Sequence, residues 1–325
     1  MARAERESEL RLVRVFDAPV ALVWESWVKD EHVSQWWGPR GFTLTTTSKD
    51  VRPGGQWIYT MHGPDGTDYP NITTYHVVEP HAMLVYDHGA TDYRAPLFRV
   101  TVTFRERDGR TEMDLTMALA TVEAAREART FIKRAGGDST WDRFGEYLEQ
   151  VQGREGVFLI NRSFAADQQT LFEMWVNPGH YARWMGPLGS TMSFLRVDVR
   201  DGGSALWAMT MADGSTKHGG LDYRAIRPHD LFVYSQYFSD ASGAPCKPSF
   251  APTYPDRLLT TVMFTPEGGD ETRVTVRWEI FGAATTAERD TFEAMKTSMT
   301  PGWTEAFDKL EAALVVSSSI ASGRS

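Results

Sequence analysis

The segment Trp36-Trp37-Gly38-Pro39 recurs as Trp184-Met185-Gly186-Pro187, 148 residues further along the chain. The same spacing pairs Phe16 with Phe164, Trp27 with Trp175, Gly54-Gly55 with Gly202-Gly203 and Asp65-Gly66 with Asp213-Gly214. It also pairs Tyr75 with Tyr223, Pro80-His81 with Pro228-His229 and Val85-Tyr86 with Val233-Tyr234. Matches held at one spacing without a gap mark a duplicated domain. The register then breaks: Phe104 aligns with Phe264 at a spacing of 160 and Trp141 with Trp303 at 162. The second copy therefore carries an insertion of roughly a dozen residues, placed within Ser239–Pro248, whose Pro, Gly and Ser content reads as a loop. The copies are expected at residues 8–152 and 156–315, joined through Gln152-Gly153-Arg154-Glu155-Gly156. The small, polar tail at 316–325 reads as disordered.

Composition narrows the class. Of the 325 residues, 42% are hydrophobic and 24% charged, as in a globular protein of about two domains. A single cysteine excludes an internal disulfide framework. The net charge of −9 argues against a phosphate-backbone partner, so no nucleic acid is expected. No apolar run approaches the roughly 18 residues needed to cross a bilayer, so no membrane partner is expected. The opening MARAERESEL has no signal-peptide core, which points to the cytoplasm. Aromatic residues reach 12%, with eleven tryptophans, enough to fill cores or to line apolar cavities.

Within each copy the pattern runs strand, two short helices, six strands, long helix. An alternating strand covers Leu10–Phe16 (Val157–Phe164 in the second copy). A helix follows with Pro19 in its first turn and Val23, Trp24 and Trp27 at helical spacing. A second helix ends at Trp36-Trp37, where Gly38-Pro39 stops it. Strands are expected over 42–51, 56–62, 69–79, 83–88, 97–107 and 111–119, with turns such as Pro64-Asp65-Gly66 between them. The closing helix spans about 122–151, broken near Gly136-Gly137; its counterpart spans 286–314, interrupted at Pro301-Gly302. An antiparallel sheet crossed by one long helix, an α+β layer, satisfies this order.

These elements, with Trp-Gly-Pro after the second helix, Pro-Gly-Gly before Trp57-x-Tyr59-x-Met61, and Pro-Asp-Gly at the turn, resemble the SRPBCC (START/Bet v 1-like) superfamily. Within it they are most similar to Hsp90-ATPase-activator-like (AHSA1-like) domains, once per copy. The resemblance implies two tandem helix-grip domains, each a curved antiparallel seven-stranded sheet around a long C-terminal helix, enclosing an apolar cavity. It further implies ligands such as lipids, sterols, flavonoids or polyketides, with cyclisation or hydrolysis in a minority of members.

Strand alternation assigns the cavity lining, because side chains share a face at every second residue. In the first copy the inward set is Trp36, Trp37, Trp57, Tyr59, Met61, Tyr75, Tyr86 and Phe104, with Asn71 and His88 as polar groups. In the second it is Trp184, Trp207, Met209, Tyr223 and Tyr234, with Gln236 and Gly219 where the first copy has His88 and Asn71. His62 is expected to face water. The same aromatics are also accounted for as plain core, although small cores favour Leu, Ile and Val.

Chemistry-bearing motifs are scarce. The eight histidines show no metal-ligand spacing and Cys246 sits in the insertion, so no metal and no cofactor are expected. No nucleophile elbow, P-loop or dinucleotide fingerprint occurs. Asn71-Ile72-Thr73 and Asn161-Arg162-Ser163 are glycosylation sequons by pattern only. His88 is the best general-base candidate and Tyr75 a weaker proton carrier, though a histidine near a strand end is more often a solvated surface residue. The leading reading is a module that binds a hydrophobic or aromatic small molecule, its copies forming a fused pseudo-dimer, with a homodimer as a further possibility. The alternatives are an aromatase/cyclase- or hydrolase-like enzyme on such a ligand, and an Hsp90-related co-chaperone. The eukaryotic activator adds a separate N-terminal domain that contacts the chaperone. No such segment precedes the first copy, so the co-chaperone role is not expected.

Overall fold

The computed structural model describes residues 8–134, 139–152, 156–268 and 271–322. The chain divides into two compact units, residues 1–153 and 154–325. The first contains β1 (Glu9–Phe16), α1 (Val20–Val28), α2 (Asp30–Trp36), β2 (Thr43–Lys49), β3 (Gln56–His62), β4 (Asp68–Glu79), β5 (Met83–Ala90), β6 (Phe98–Arg107), β7 (Arg110–Ala118), α3 (Val122–Arg134) and α4 (Ser139–Val151). The second repeats the order: β8 (Val157–Phe164), α5 (Gln168–Val176), α6 (Pro178–Trp184), β9 (Thr191–Val197), β10 (Ser204–Thr210), β11 (Thr216–Arg227), β12 (Leu231–Ser239), β13 (Leu258–Gly268), β14 (Glu271–Ile280) and α7 (Thr286–Ser322). The sheets are ordered β1-β7-β6-β5-β4-β3-β2 and β8-β14-β13-β12-β11-β10-β9. Consecutive hairpins build six strands of each, and the first strand returns to pair antiparallel with the last. This is the tandem α+β helix-grip fold expected from the sequence.

Local chemistry explains the element ends. Asp167 accepts a hydrogen bond from the Thr170 N–H at 2.7 Å and Asn177 from the Gly179 N–H at 2.9 Å, capping α5 and α6. Pro19 stands at the N-cap of α1, one residue ahead of its first turn. After α2 and α6 the chain must reverse, and Gly38 and Gly186 do so at φ 97° and 101°. A Cβ on Gly186 would also lie 2.9 Å from the terminal methyl of Met209.

The buried stripe of α1 (Val23, Trp24, Trp27) and the inward face of each sheet form the cores. Phe144 and Leu148 of α4 close the first, and Phe292, Trp303, Phe307 and Leu310 of α7 close the second. The break expected near Gly136-Gly137 lies outside the described residues. Two features of α7 differ from the sequence reading. No interruption occurs at Pro301-Gly302: α7 runs through Pro301. Buried Phe292 and Trp303 hold it on both sides of the proline. The Ser298 and Thr304 hydroxyls, on either side of the proline, donate to the Met295 and Thr300 carbonyls. The helix also extends to Ser322, into the tail read as disordered from its composition.

Candidate functional site

In the first unit the expected lining residues converge and pack against one another. Trp36 and Phe144 stack at 4.0 Å, Trp57 and Tyr59 at 3.9 Å, and Trp37 meets Trp36 and Trp57 edge-on at 5.3 Å each. Phe104 packs edge-on to Trp24 and Trp27, and Tyr75 to Tyr86. Trp36, Trp37, Trp57, Tyr59, Tyr75, Tyr86 and Phe104 are all buried. Their polar tips are largely satisfied: the Trp37 indole donates to the Tyr59 hydroxyl at 3.2 Å, Trp36 to the Ser26 carbonyl at 3.0 Å and Trp57 to the Thr46 hydroxyl at 3.1 Å. Met61 lies against the turn glycine, its sulfur 3.4 Å from where a Cβ on Gly38 would stand. Asn71 is buried and donates to the Tyr69 carbonyl at 3.3 Å. Asn161 of the other sequon is equally buried.

His88 faces inward rather than to solvent. Its ring stacks on Phe98 at 5.0 Å and sits 6.2 Å from Trp37 and 6.5 Å from Tyr59. Burial, reinforced by the positive charge of Arg94, lowers its pKa to about 4. The imidazole is therefore neutral near pH 7 and a weak base. Burial raises the Tyr75 phenol well above its ordinary value, making it a poorer proton donor. Both shifts move away from the range that general acid–base work at neutrality needs.

The second unit leaves space at the matching place. A cleft of about 50 Å³ is lined by Trp207, Gln236, Tyr237, Phe238, Tyr254, Pro255, Leu258 and Trp278. Gln236 and Leu258 occupy the positions of His88 and Phe98, the stacked pair that fills this spot in the first unit. Tyr254 and Pro255 come from the insertion, which spans 240–257 between β12 and β13. Lys247 anchors that insertion: its ammonium pairs with Glu288 on α7 and with Asp256 at 2.7 Å. The Trp278 indole nitrogen is buried with no hydrogen-bond partner.

Among the sequence-predicted residues, Trp207 and Gln236 lie on this cleft. Trp184 packs edge-on to Trp175 at 4.7 Å, Met209 against Gly186, and the Tyr234 hydroxyl 3.4 Å from that of Tyr181. Tyr223 is buried against Phe232. Sequence reasoning missed Phe238 and Trp278, although both continue an inward alternation, Phe238 after Tyr234 and Gln236 and Trp278 after Val274 and Val276. It missed Tyr254 and Pro255 because they follow the segment assigned to the insertion. It also missed Lys49, whose amine is buried over Trp57. Among the described residues no group of three or more His, Cys, Asp or Glu side chains is placed to hold a metal ion, and no helix is long and apolar enough to cross a membrane.

Two helix-grip units in tandem, each with an aromatic interior, define a protein of the SRPBCC class. The family model described as "Activator of Hsp90 ATPase homolog 1-like protein" matches residues 17–149 and 165–315, and the chain belongs to that family. Several solved structures are similar. One from Arthrobacter aurescens is 24% identical over 45% of this chain and 88% of its own, with a TM-score of 0.42. The AHSA1 protein from Silicibacter pomeroyi is 16% identical over 50% of this chain and 99% of its own, with a TM-score of 0.39. The di-domain ARO/CYC BexL from the BE-7585A biosynthetic pathway is 14% identical over 94% of this chain and 98% of its own, with a TM-score of 0.37. No curated protein matches the chain.

Proposed function

We propose that this chain binds an apolar or aromatic small molecule, and that the second unit receives it at the cleft between the inward face of its sheet and the insertion. One observation carries the reading: the Trp278 indole N–H, on the cleft wall, is buried without an acceptor. A buried donor left unmade costs about 1–3 kcal/mol, so a ligand carbonyl or ether oxygen that takes it recovers that cost. The aromatic walls from Trp207, Phe238 and Tyr254 suit a flat partner. At about 50 Å³ the cleft holds a substituent and not a whole ligand. Entry therefore requires the Tyr254-Pro255 wall to move outward. At the matching place of the first unit His88 stacks on Phe98.

The test is a tryptophan-fluorescence titration with a fatty acid, a flavone and a polycyclic aromatic ketone, on the whole chain and on Trp278→Phe. The reading expects saturable binding of at least one carbonyl-bearing aromatic, with affinity reduced roughly two- to tenfold in the variant, the worth of one neutral hydrogen bond. Absence of binding by all three, or equal affinities in the two proteins, would overturn it.

A further inference from the structure

Trp207, Gly219 and Phe238 stand side by side on one rung of β10, β11 and β12, and the two rings, 6.4 Å apart, are walls of the cleft. Lys217 is the next residue on that face of β11, because side chains two positions apart point the same way. Its ammonium lies 4.6 Å from the centre of the Phe250 ring. Phe250 is half exposed and meets Phe238 edge-on at 5.6 Å. From the cleft outward the order is Phe238, Phe250, Lys217. A cation therefore closes the aromatic wall at its solvent end.

That cation is held in place without being neutralised, since a ring face attracts an ammonium and leaves its charge intact. Among the described residues Lys217 forms no ion pair. Asp213, whose carboxylate feels its charge, is already taken by Ser215, whose N–H and hydroxyl donate to it at 2.9 and 2.6 Å. The chain as a whole carries a net charge of −9 and repels anions, so an acid binds only where a local cation outweighs that field. The first unit has no such cation at the matching rung: Met61 faces Tyr69 there, where Met209 faces Lys217 in the second. The lysine is thus a feature of the second copy, and the repeated fold does not require it.

We propose that the ligand of the second unit is an aromatic carboxylic acid, its rings against Trp207 and Phe238 and its carboxylate on Lys217 at the rim, an assignment that rests on the ligand site proposed above. Trp278 is on β14 and Lys217 on β11, three strand spacings or about 14 Å apart across the sheet. A ligand whose carbonyl takes the Trp278 N–H and whose acid group meets the lysine arm is therefore elongated, with two linked ring systems rather than one. A fatty acid has the charge but no flat face to set against the aromatic walls.

The experiment is a tryptophan-fluorescence titration of the intact chain at pH 7 with flavone-4′-carboxylic acid and with its neutral 4′-carboxamide. The acid should bind about three- to fivefold more tightly than the amide, the worth of one ion pair at a partly exposed rim, and about 0.5 M salt should shrink the difference. Lys217→Met keeps an aliphatic chain over Phe250 and removes the charge. It should bring the acid down to the affinity of the amide and leave the amide unchanged, which also shows that the variant is folded. Lys217→Arg should keep the preference for the acid. Equal affinities for acid and amide in the parent chain, or a preference that survives in Lys217→Met, would overturn the acid assignment and spare the cleft. Failure of both probes to bind would instead remove the cleft reading, and the acid assignment with it.

Discussion

Trp207 and Gly219 face each other across the β10–β11 ladder, and the indole lies so close over the glycine that an added Cβ would meet its Cζ2 at 2.3 Å. In the first unit the same rungs hold Tyr59 and Asn71. The larger ring is accommodated because its neighbour has no side chain. Gly219→Ala therefore overpacks the wall of the cleft, and such insertions cost about 1–3 kcal/mol. Urea unfolding followed by tryptophan fluorescence should show a lower midpoint and a shifted native emission as the Trp207 ring is displaced. An unchanged midpoint would mean that the ring moves aside freely.

Gly302 gives the opposite case. It lies inside α7 next to Pro301, and a Cβ there would meet nothing within 4 Å. Gly302→Ala should stabilise the second unit by about 0.5–1 kcal/mol, because alanine loses less backbone freedom on entering a helix. Thermal unfolding reads this directly. A decrease in Tm would show that the helix needs the glycine beside the proline.

The duplication, the order of elements and the inward faces were legible because they depend on short-range pattern. Alternation along β3 puts Trp57 and Tyr59 on one face, and the structure buries both. The location of the cleft was not legible, since it depends on volume differences among residues far apart in sequence. His88 on Phe98 fills a place that Gln236 and Leu258 leave partly open. No periodicity encodes that difference. Lys49 escaped notice for a related reason: a lysine at a strand end reads as solvated until the neighbouring indole is known to cover it.

His88 links the first unit to pH. Its folded pKa of about 4 lies below the ordinary histidine value near 6.5, so the unfolded chain takes up the proton first. Its contribution to stability is complete above about pH 6.5 and is lost as pH falls through 4, at no more than about 1.4 kcal/mol per pH unit. His88→Gln, the residue at the matching position of the second unit, should flatten this dependence. Urea unfolding at pH 7.5 and 5.0 measures it, and identical pH slopes for the two proteins would refute the assignment.

The insertion is clamped where the ligand reading needs it to move. Lys247 pairs with Glu288, and the hydroxyls of Thr253 and Thr291 lie 2.7 Å apart. Glu288 also accepts from the Thr285 N–H at 2.7 Å while its own N–H donates to the Thr285 hydroxyl at 3.2 Å, a capping box at the start of α7. Hydrogen bonding by Lys247 and Thr285 draws the Glu288 carboxyl down to about 2. This folded value lies below the unfolded one, so the clamp is complete above about pH 4.5 and fails as pH falls through 2. Lys247→Met removes the clamp and spares the cap. Amide exchange across residues 240–257 should then rise by up to about fivefold while α7 stays protected. Because Tyr254 and Pro255 form one wall of the cleft, the same variant should take up an aromatic ligand faster. If the exchange rates of the loop do not change, the clamp is not what holds that wall in place.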